Sequence, residues 1–368
     1  MGGICFILFH AGETRALLPT MQHLISERIQ IKIVPVGISA KNLLPKNLNK
    51  YIKTPSIITD GLGQNDEYNL RFRDSAILEI VNICSHSSLI ITGIPSKIQE
   101  QIVKHLPRDK KIIVYFDLFA TFDKVVAFQQ YAYAFIATLK STKTSIKKHL
   151  KGSKISHKPK IILARHGDFD TWVANSQTSL TNKDSIATQL KLDTKHKLIV
   201  WAGGYDDFSQ NDKEHRAFLK FIKSFYLYKK QYKLIISIHP GLKNYNPHKL
   251  QRILDFYYLD TLRGFQFTHD EVKTTITNIS VSEIAILATA IVSLCSTATI
   301  QAAYLNINSK NVYLNKQLVA PNIESVKSAK RWRELFKLWS NPTPCNANNN
   351  QDIPDLNTYD AIKSLYNM

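Results

Sequence analysis

The sequence predicts an α/β fold of two doubly wound domains, and three observations carry that prediction. Short β-branched apolar runs recur along the whole chain. Longer amphipathic stretches lie between many of them, and such β–α alternation builds parallel sheets covered by helices. The chain has 368 residues, which at roughly 150 per domain suits two domains, each long enough to bury its own core.

The strand candidates are, in order, Ile4–Phe9, Ile31–Val36, Ser88–Thr92, Lys111–Phe116, Ala134–Thr138, Lys160–Ala164, Lys197–Ala202, Lys233–Ile238, Ala290–Leu294 and Asn311–Leu314. Most are continuously apolar rather than alternating, as strands buried on both faces are. The helix candidates between them include Leu17–Arg28, Ser75–Cys84, Ser96–Leu106, His215–Tyr228, His248–Tyr258 and Thr297–Leu305. Ser280-Val281-Ser282-Glu283 fits a capping box that starts a helix running to Ala288, so Glu283 reads as a cap rather than a catalyst.

The domain boundary is read from composition. Residues 140–160 hold eight lysines and no acid, with Ser, Thr and Gly between them. This reads as a solvated basic linker between a first domain, 1–139, and a second, 161–340. A segment that contacts a polyanion or a membrane is the sharper reading of the same lysines. Residues 341–354 form a polar, low-complexity loop, and a short helix at Asp355–Leu365 comes next within a terminal segment, 355–368.

Composition narrows the function. Lys plus Arg number 48 and Asp plus Glu 29, giving a formal net charge of +19. A surface this basic attracts anions such as nucleotides, phosphorylated glycans, anionic lipid headgroups or nucleic acid. The four cysteines, Cys5, Cys84, Cys295 and Cys345, form no CxxC or metal-spaced cluster, so they read as buried thiols of a reducing compartment. The N-terminus lacks the basic stretch and cleavage site of a signal peptide, and Phe6 stands where myristoylation wants Ser or Thr. No apolar run reaches the ~18 residues of a membrane span. The expectation is a soluble cytoplasmic protein, with charge-driven attachment to the inner membrane face left open.

In open α/β sheets ligands bind beyond the carboxyl ends of strands, so the residues after each strand are the site candidates. After the first strand come His10, Ala11, Gly12, Glu13, Thr14 and Arg15, with a helix expected from Ala16. Gly12 would turn the chain tightly, and His10 or Glu13 would serve as a base; an ordinary turn with Glu13 complementing the helix dipole is equally open. No GxGxxG fingerprint is present. Asp117, between large apolar residues, has the setting for a raised pKa and a role as general base, with an N-cap or hydrogen-bond acceptor as the alternative. Gly203 and Gly204 would let backbone approach a ligand closely. His239, locked by Pro240, is a compact phosphate donor. Ser296 and Thr297 open a helix whose free amides suit an anion, and Ser296 also suits an N-cap.

The later half resembles the nucleotide-binding domain of GT-B glycosyltransferases. The resemblance rests on Gly203-Gly204, His239-Pro240, Phe265-Gln266-Phe267-Thr268 and the run Ser296-Thr297-Ala298-Thr299-Ile300-Gln301-Ala302-Ala303. His239-Pro240 with Ser296-Thr297 is similar to the motifs of bacterial sialyltransferases, capsule transferases and teichoic-acid glycerophosphotransferases. Ala11-Gly12-Glu13 and Ser296-Thr297-Ala298 faintly resemble lipid-A-disaccharide synthase, without its full glycine-rich run. The resemblance implies two doubly wound Rossmann-like domains facing a cleft, the first taking an acceptor and the second a nucleotide sugar, with the terminal helix returning to the first. Gly203, Gly204, His239, Pro240, Thr268, Ser296 and Thr297 would then hold the nucleotide phosphates, and Asp117, Glu13 or His10 would deprotonate the acceptor. No metal and no cofactor beyond the nucleotide-sugar co-substrate is implied, and the acceptor would be a glycan or a lipid-linked hydroxyl of a bacterial surface polysaccharide. Gln301 stands where many GT-B enzymes place an acid that grips the donor ribose.

Two rivals remain. Arg165-His166-Gly167 resembles the signature of histidine phosphatases, which would make His166 a phosphorylated nucleophile. The second rival is a catalytically inactive GT-B scaffold that binds a polyanion. A nucleic-acid partner is the least favoured, since no zinc finger, helix-turn-helix or aromatic-basic motif is present.

Overall fold

A computed structural model describes residues 2–56, 58, 73–93, 96–117, 122–151, 157–192, 197–203, 213–238, 247–267, 272–275, 280–294, 296–312, 322–323, 326–329, 332–335 and 353–368. The chain divides into two compact units, one of residues 1–168 with 354–368 and one of residues 169–353.

The first unit is built on six strands: β1 (Gly3–Leu8), β2 (Ile31–Pro35), β3 (Ser87–Thr92), β4 (Lys111–Phe116), β5 (Ala134–Ala137) and β6 (Lys160–Leu163). Between them run α1 (Ala11–Ser26), α2 (Ile38–Leu43), α3 (Asp74–Ser85), α4 (Lys97–His105), α5 (Phe122–Phe128) and α6 (Lys140–Lys151). The strands are all parallel in the order β2-β1-β3-β4-β5-β6. Alternate residues of β1 serve opposite cores: Cys5 and Ile7 join Val34, Ile90 and Val114, while Ile4, Phe6 and Leu8 join Ile33, Ile91 and Tyr115. Both faces are thus covered, which is why the strand runs are apolar without alternation.

The described residues of the 140–160 stretch are not a linker between domains but belong to the first unit. Helix α6 occupies Lys140–Lys151, and β6 is the sixth strand of the first sheet. Ile146 and Leu150, one helical turn apart, are buried in the first core and tie the lysine-rich helix down.

The second unit holds α7 (Phe169–Thr181), α8 (Lys183–Gln189), β7 (Lys197–Ala202), α9 (Lys213–Phe225), β8 (Tyr232–Ser237), α10 (Pro247–Leu254), α11 (Asp260–Gly264) and β9 (Val272–Thr275). It continues with α12 (Val281–Ile284), β10 (Ala288–Ser293), α13 (Thr297–Tyr304), β11 (Asn308–Val312), β12 (Asn322–Ile323) and β13 (Val326–Ala329). Its seven strands lie in the order β12-β13-β11-β10-β7-β8-β9, parallel except for the β12–β13 pair. Trp201 of β7 packs in a buried aromatic cluster, edge-on to Phe218 at 5.3 Å between ring centroids and tilted against Phe221 at 5.0 Å, both of α9. The last helix, α14 (Thr358–Asn367), belongs to the first unit, where Ala361, Ile362 and Leu365 enter the core beside Leu17 and Met21 of α1.

Strand order fixes where a ligand edge lies. In the first sheet the order reverses between β1 and β3; in the second it reverses between β7 and β10. Connections leave these neighbouring strands in opposite directions, and in doubly wound sheets this is the point at whose carboxyl ends ligands bind.

Candidate active site

At the first unit's reversal point stands Glu13. Helix α1 begins at Ala11, five residues earlier than the sequence predicts, so Glu13 lies in its first turn and Gly12 is helical rather than a turn. The early start has a local cause: the Glu13 carboxylate reaches back to accept the backbone N–H groups of Phe9 and of His10, the latter at 3.1 Å. Gln99 of α4 donates its Nε2–H to the same oxygen at 3.2 Å. Gln99 is itself fixed by a capping box with Ser96, whose N–H it accepts at 3.0 Å.

Both glycines at this edge make room for carboxylates. A Cβ on Gly12 would stand 2.7 Å from Asp117 Oδ2, and a Cβ on Gly93, just after β3, would collide with the Glu13 carboxyl. Asp117 comes directly after β4, is 7% exposed, and accepts the Thr138 hydroxyl on its main-chain oxygen at 2.7 Å. Glu13 is fully buried. Burial pushes its pKa up to about 8 and the Asp117 charge pushes the same way, against the amide hydrogen bonds from Phe9 and His10. The edge therefore holds one carboxyl kept protonated through neutral pH beside a second carboxyl. His10 caps α1 at this edge, its ring edge-on to Phe9 at 4.5 Å between centroids.

At the second unit's reversal point, Gly203 comes directly after β7 and the β10–α13 turn faces it across the strand pair. Gly203 donates its N–H to Ser237 at 2.8 Å, and a Cβ there would stand 2.8 Å from the Tyr258 hydroxyl. Ser296 is the N-cap of α13, its Oγ accepting the Ala298 N–H at 3.2 Å. It and Thr297 are half-buried. Behind them lies a buried polar knot. Asn311 Oδ1 accepts from Ser293 Oγ at 2.9 Å and lies 2.8 Å from Thr299 Oγ1, pinning the start of α13 to β10 and β11. Gln301 is 2% exposed, and its Oε1 has no hydrogen-bond partner among the described residues. Gly204, His239, Pro240 and Thr268 lie outside the described residues.

His166 is placed in the first unit. It is buried, its Nδ1 accepts the Asp168 N–H at 3.2 Å, and burial holds its pKa down at about 4. Gly167 is explained by packing, since a Cβ there would meet the Ala16 carbonyl, and Arg165 donates its N–H to Leu356 at 2.6 Å. The residues that sequence reading missed are Gly93 and Gln99. Gly93 carried a legible signal, standing directly after the Ser88–Thr92 run. Among the described residues no three His, Cys, Asp or Glu side chains gather to hold a metal ion, and no helix is long and apolar enough to cross a membrane.

No protein-family model matches the chain, and no curated protein matches it. Solved structures do. A UDP-GlcNAc 2-epimerase from Methanocaldococcus jannaschii, in complex with UDP-GlcNAc and UDP, superposes with a TM-score of 0.68 at 13% identity, covering 99% of each chain. A glycosyltransferase from Rickettsia africae gives 0.63 at 11% identity, covering 99% of this chain and 97% of its own. The wall teichoic acid polymerase TagF gives 0.53 at 11% identity, covering 99% of this chain and 87% of its own. The fold is GT-B: two doubly wound α/β units spanned end to end by these likenesses.

Proposed function

We propose that this protein is a nucleotide-sugar enzyme that moves a sugar, or a related group, from a nucleotide-activated donor to a hydroxyl of a glycan, lipid or other acceptor without a metal. The observation that carries the reading is the carboxyl pair at the first unit's reversal point, Glu13 held protonated up to about pH 8 and Asp117 beside it. A buried, protonated carboxyl beside a second carboxyl is the arrangement from which acid and base roles are drawn. Asp117 takes the proton of the attacking hydroxyl. Glu13 holds the loop between β1 and α1 through Phe9 and His10 and keeps a proton available at the same edge. In the second unit, the amides of the α13 first turn with Ser296 and Thr297 take the donor phosphates, joined by Gly203, Gly204, His239, Pro240 and Thr268. Charge that develops on the leaving phosphate is then met by fixed donors.

The same pair supports a second reading, epimerisation of the sugar while it stays on its nucleotide, since an acid beside a base suits moving a proton on and off a ring carbon. Two of the structural neighbours named above, an epimerase and a glycosyltransferase, divide along this line.

The test offers the protein CMP, CDP, UDP, GDP and ADP sugars, with and without glycan or lipid alcohols, and tracks products by mass spectrometry and NMR. Transfer releases free nucleotide and adds a sugar mass to the acceptor. Epimerisation leaves the donor's mass unchanged and yields a new isomer without any acceptor. No turnover with any donor contradicts both readings.

A further inference from the structure

The chain's positive charge is not spread evenly. Residues 97–160, running from α4 to β6, contain fourteen Lys and Arg against four Asp and Glu. Part of this charge meets in a groove of about 610 Å³ on the first unit, lined by Arg108, Lys110, Lys111 and His157 with Tyr131 and Tyr133 among its walls. The groove lies where β4, β5 and β6 begin: Lys111 is the first residue of β4, Tyr133 precedes β5, and His157 precedes β6. Asp117 stands at the other end of β4, and Glu13 lies just after the same end of β1 in that parallel sheet.

The groove's cations are only partly matched by acids. Lys104, on its rim, is paired with Glu100 at 2.6 Å, and Lys110 lies 3.8 Å from Asp109. Asp109 is the one acid in the lining among the described residues. Arg108 and His157 are exposed and make no ion pair among the described residues. Lys111 stands 5.6 Å from the centroid of the Tyr133 ring, with Lys160 at 4.9 Å from it, so the aromatic wall gathers ammonium groups. Like charges crowded into a concavity repel one another, and an anion seated among them relieves that repulsion.

We infer that this groove is a second anion site, separate from the carboxyl edge, that binds a phosphate-bearing ligand. The guanidinium of Arg108 supplies a planar two-donor fork, Lys111 and Lys110 supply ammonium donors, and the tyrosines bound the seat. The phosphate belongs either to a lipid headgroup or to a soluble phosphate ester. The site is independent of the nucleotide-sugar reading, because phosphate held at the start of α13 is untouched by substitutions in the groove and only binding lost in the groove variant counts toward it.

Binding is measured for the full chain with pyrophosphate by calorimetry and with phosphatidylglycerol-containing vesicles by co-sedimentation, against phosphatidylcholine vesicles. The double variant Arg108→Glu/Lys111→Glu is compared with Lys183→Glu/Lys197→Glu, which changes charge equally on exposed lysines of the second unit. Arg108→Gln/His157→Gln, confined to loops, serves if the first variant loses its fold by circular dichroism. The expected result is binding of at least one probe that weakens about tenfold or more in the groove variant and by no more than about threefold in the control. Pyrophosphate binding assigns a soluble phosphate, and vesicle binding alone assigns a headgroup. Equal losses in both variants, or no binding of either probe by the unaltered protein, overturn the inference.

Discussion

The two sheet edges are built from opposite chemistry. The first unit's edge buries carboxyls, with Glu13 fully enclosed and Asp117 nearly so. The second unit's edge buries hydroxyls and an amide, Ser293, Thr299 and Asn311, and leaves Ser296 and Thr297 half-buried at the helix start. A buried acid changes its proton affinity and becomes a reagent. A neutral knot behind a helix N-terminus changes nothing in charge but fixes amides in place, which is what an anion needs. The difference teaches that one fold, used twice, encloses ionisable carboxyls at one topological point and neutral hydrogen-bonding groups at the other, and the proposed function assigns proton chemistry to the first and phosphate recognition to the second.

The largest expected effect tests the acid edge. Asp117→Asn keeps shape and removes the base, so the rate of donor turnover falls about 100- to 10,000-fold. Steady-state kinetics on whichever donor is turned over checks this, and a rate within threefold of the unaltered protein breaks the assignment.

The next effect is on stability against pH. Glu13 binds a proton up to about pH 8 in the fold, whereas an unfolded glutamate releases it near pH 4.3. Between those values the folded state holds more protons than the unfolded one, so stability falls as pH rises through this window. Glu13→Gln removes that decline and gains on the order of a few kcal/mol at pH 9 over pH 4 relative to the parent. Urea unfolding at both pH values reads it, and parallel curves for parent and variant contradict the buried acid.

Asn311→Ala sharpens the other side of the comparison. It strips the acceptor from the buried Ser293 hydroxyl and a polar neighbour from Thr299, whose hydroxyl keeps the Ser296 carbonyl, and costs about 1–3 kcal/mol, with phosphate-ligand affinity falling together with stability because the start of α13 loosens. Gly93→Ala is expected to cost a similar or smaller amount, about 1–3 kcal/mol, and to alter turnover through the displaced Glu13 carboxyl. Ser296→Ala is the smallest, about 1 kcal/mol for a lost N-cap; thermal melts rank the three.

The comparison also explains what the sequence disclosed. Strands enclosed on both faces wrote themselves as apolar runs, so β1, β4 and β7 were legible to within a residue or so. Strand β11, Asn308–Val312, starts three residues before the predicted Asn311–Leu314 run, because Asn308, Ser309 and Lys310 are polar and Ser309 spends its hydroxyl on the Ile307 carbonyl, which apolar patterning does not see. The start of α1 was missed because its cap comes from a residue inside the helix, Glu13, reaching backward. Helix α6 was hidden by its lysines, with only Ile146 and Leu150 marking the buried stripe. Asp117 and Ser296 were legible because each stands just past the carboxyl end of a strand, and Gly93 holds the same position after β3. Gln99 gave no signal, since its contact with Glu13 spans 86 positions of sequence.

The most direct test of the division is calorimetric binding of the turned-over donor to two variants. Asp117→Asn should bind it within about threefold of the unaltered protein while losing turnover, and Thr297→Asp, which sets a negative charge on the phosphate seat, should bind it about 100-fold more weakly or not at all. Donor affinity lost in Asp117→Asn and kept in Thr297→Asp would contradict the account.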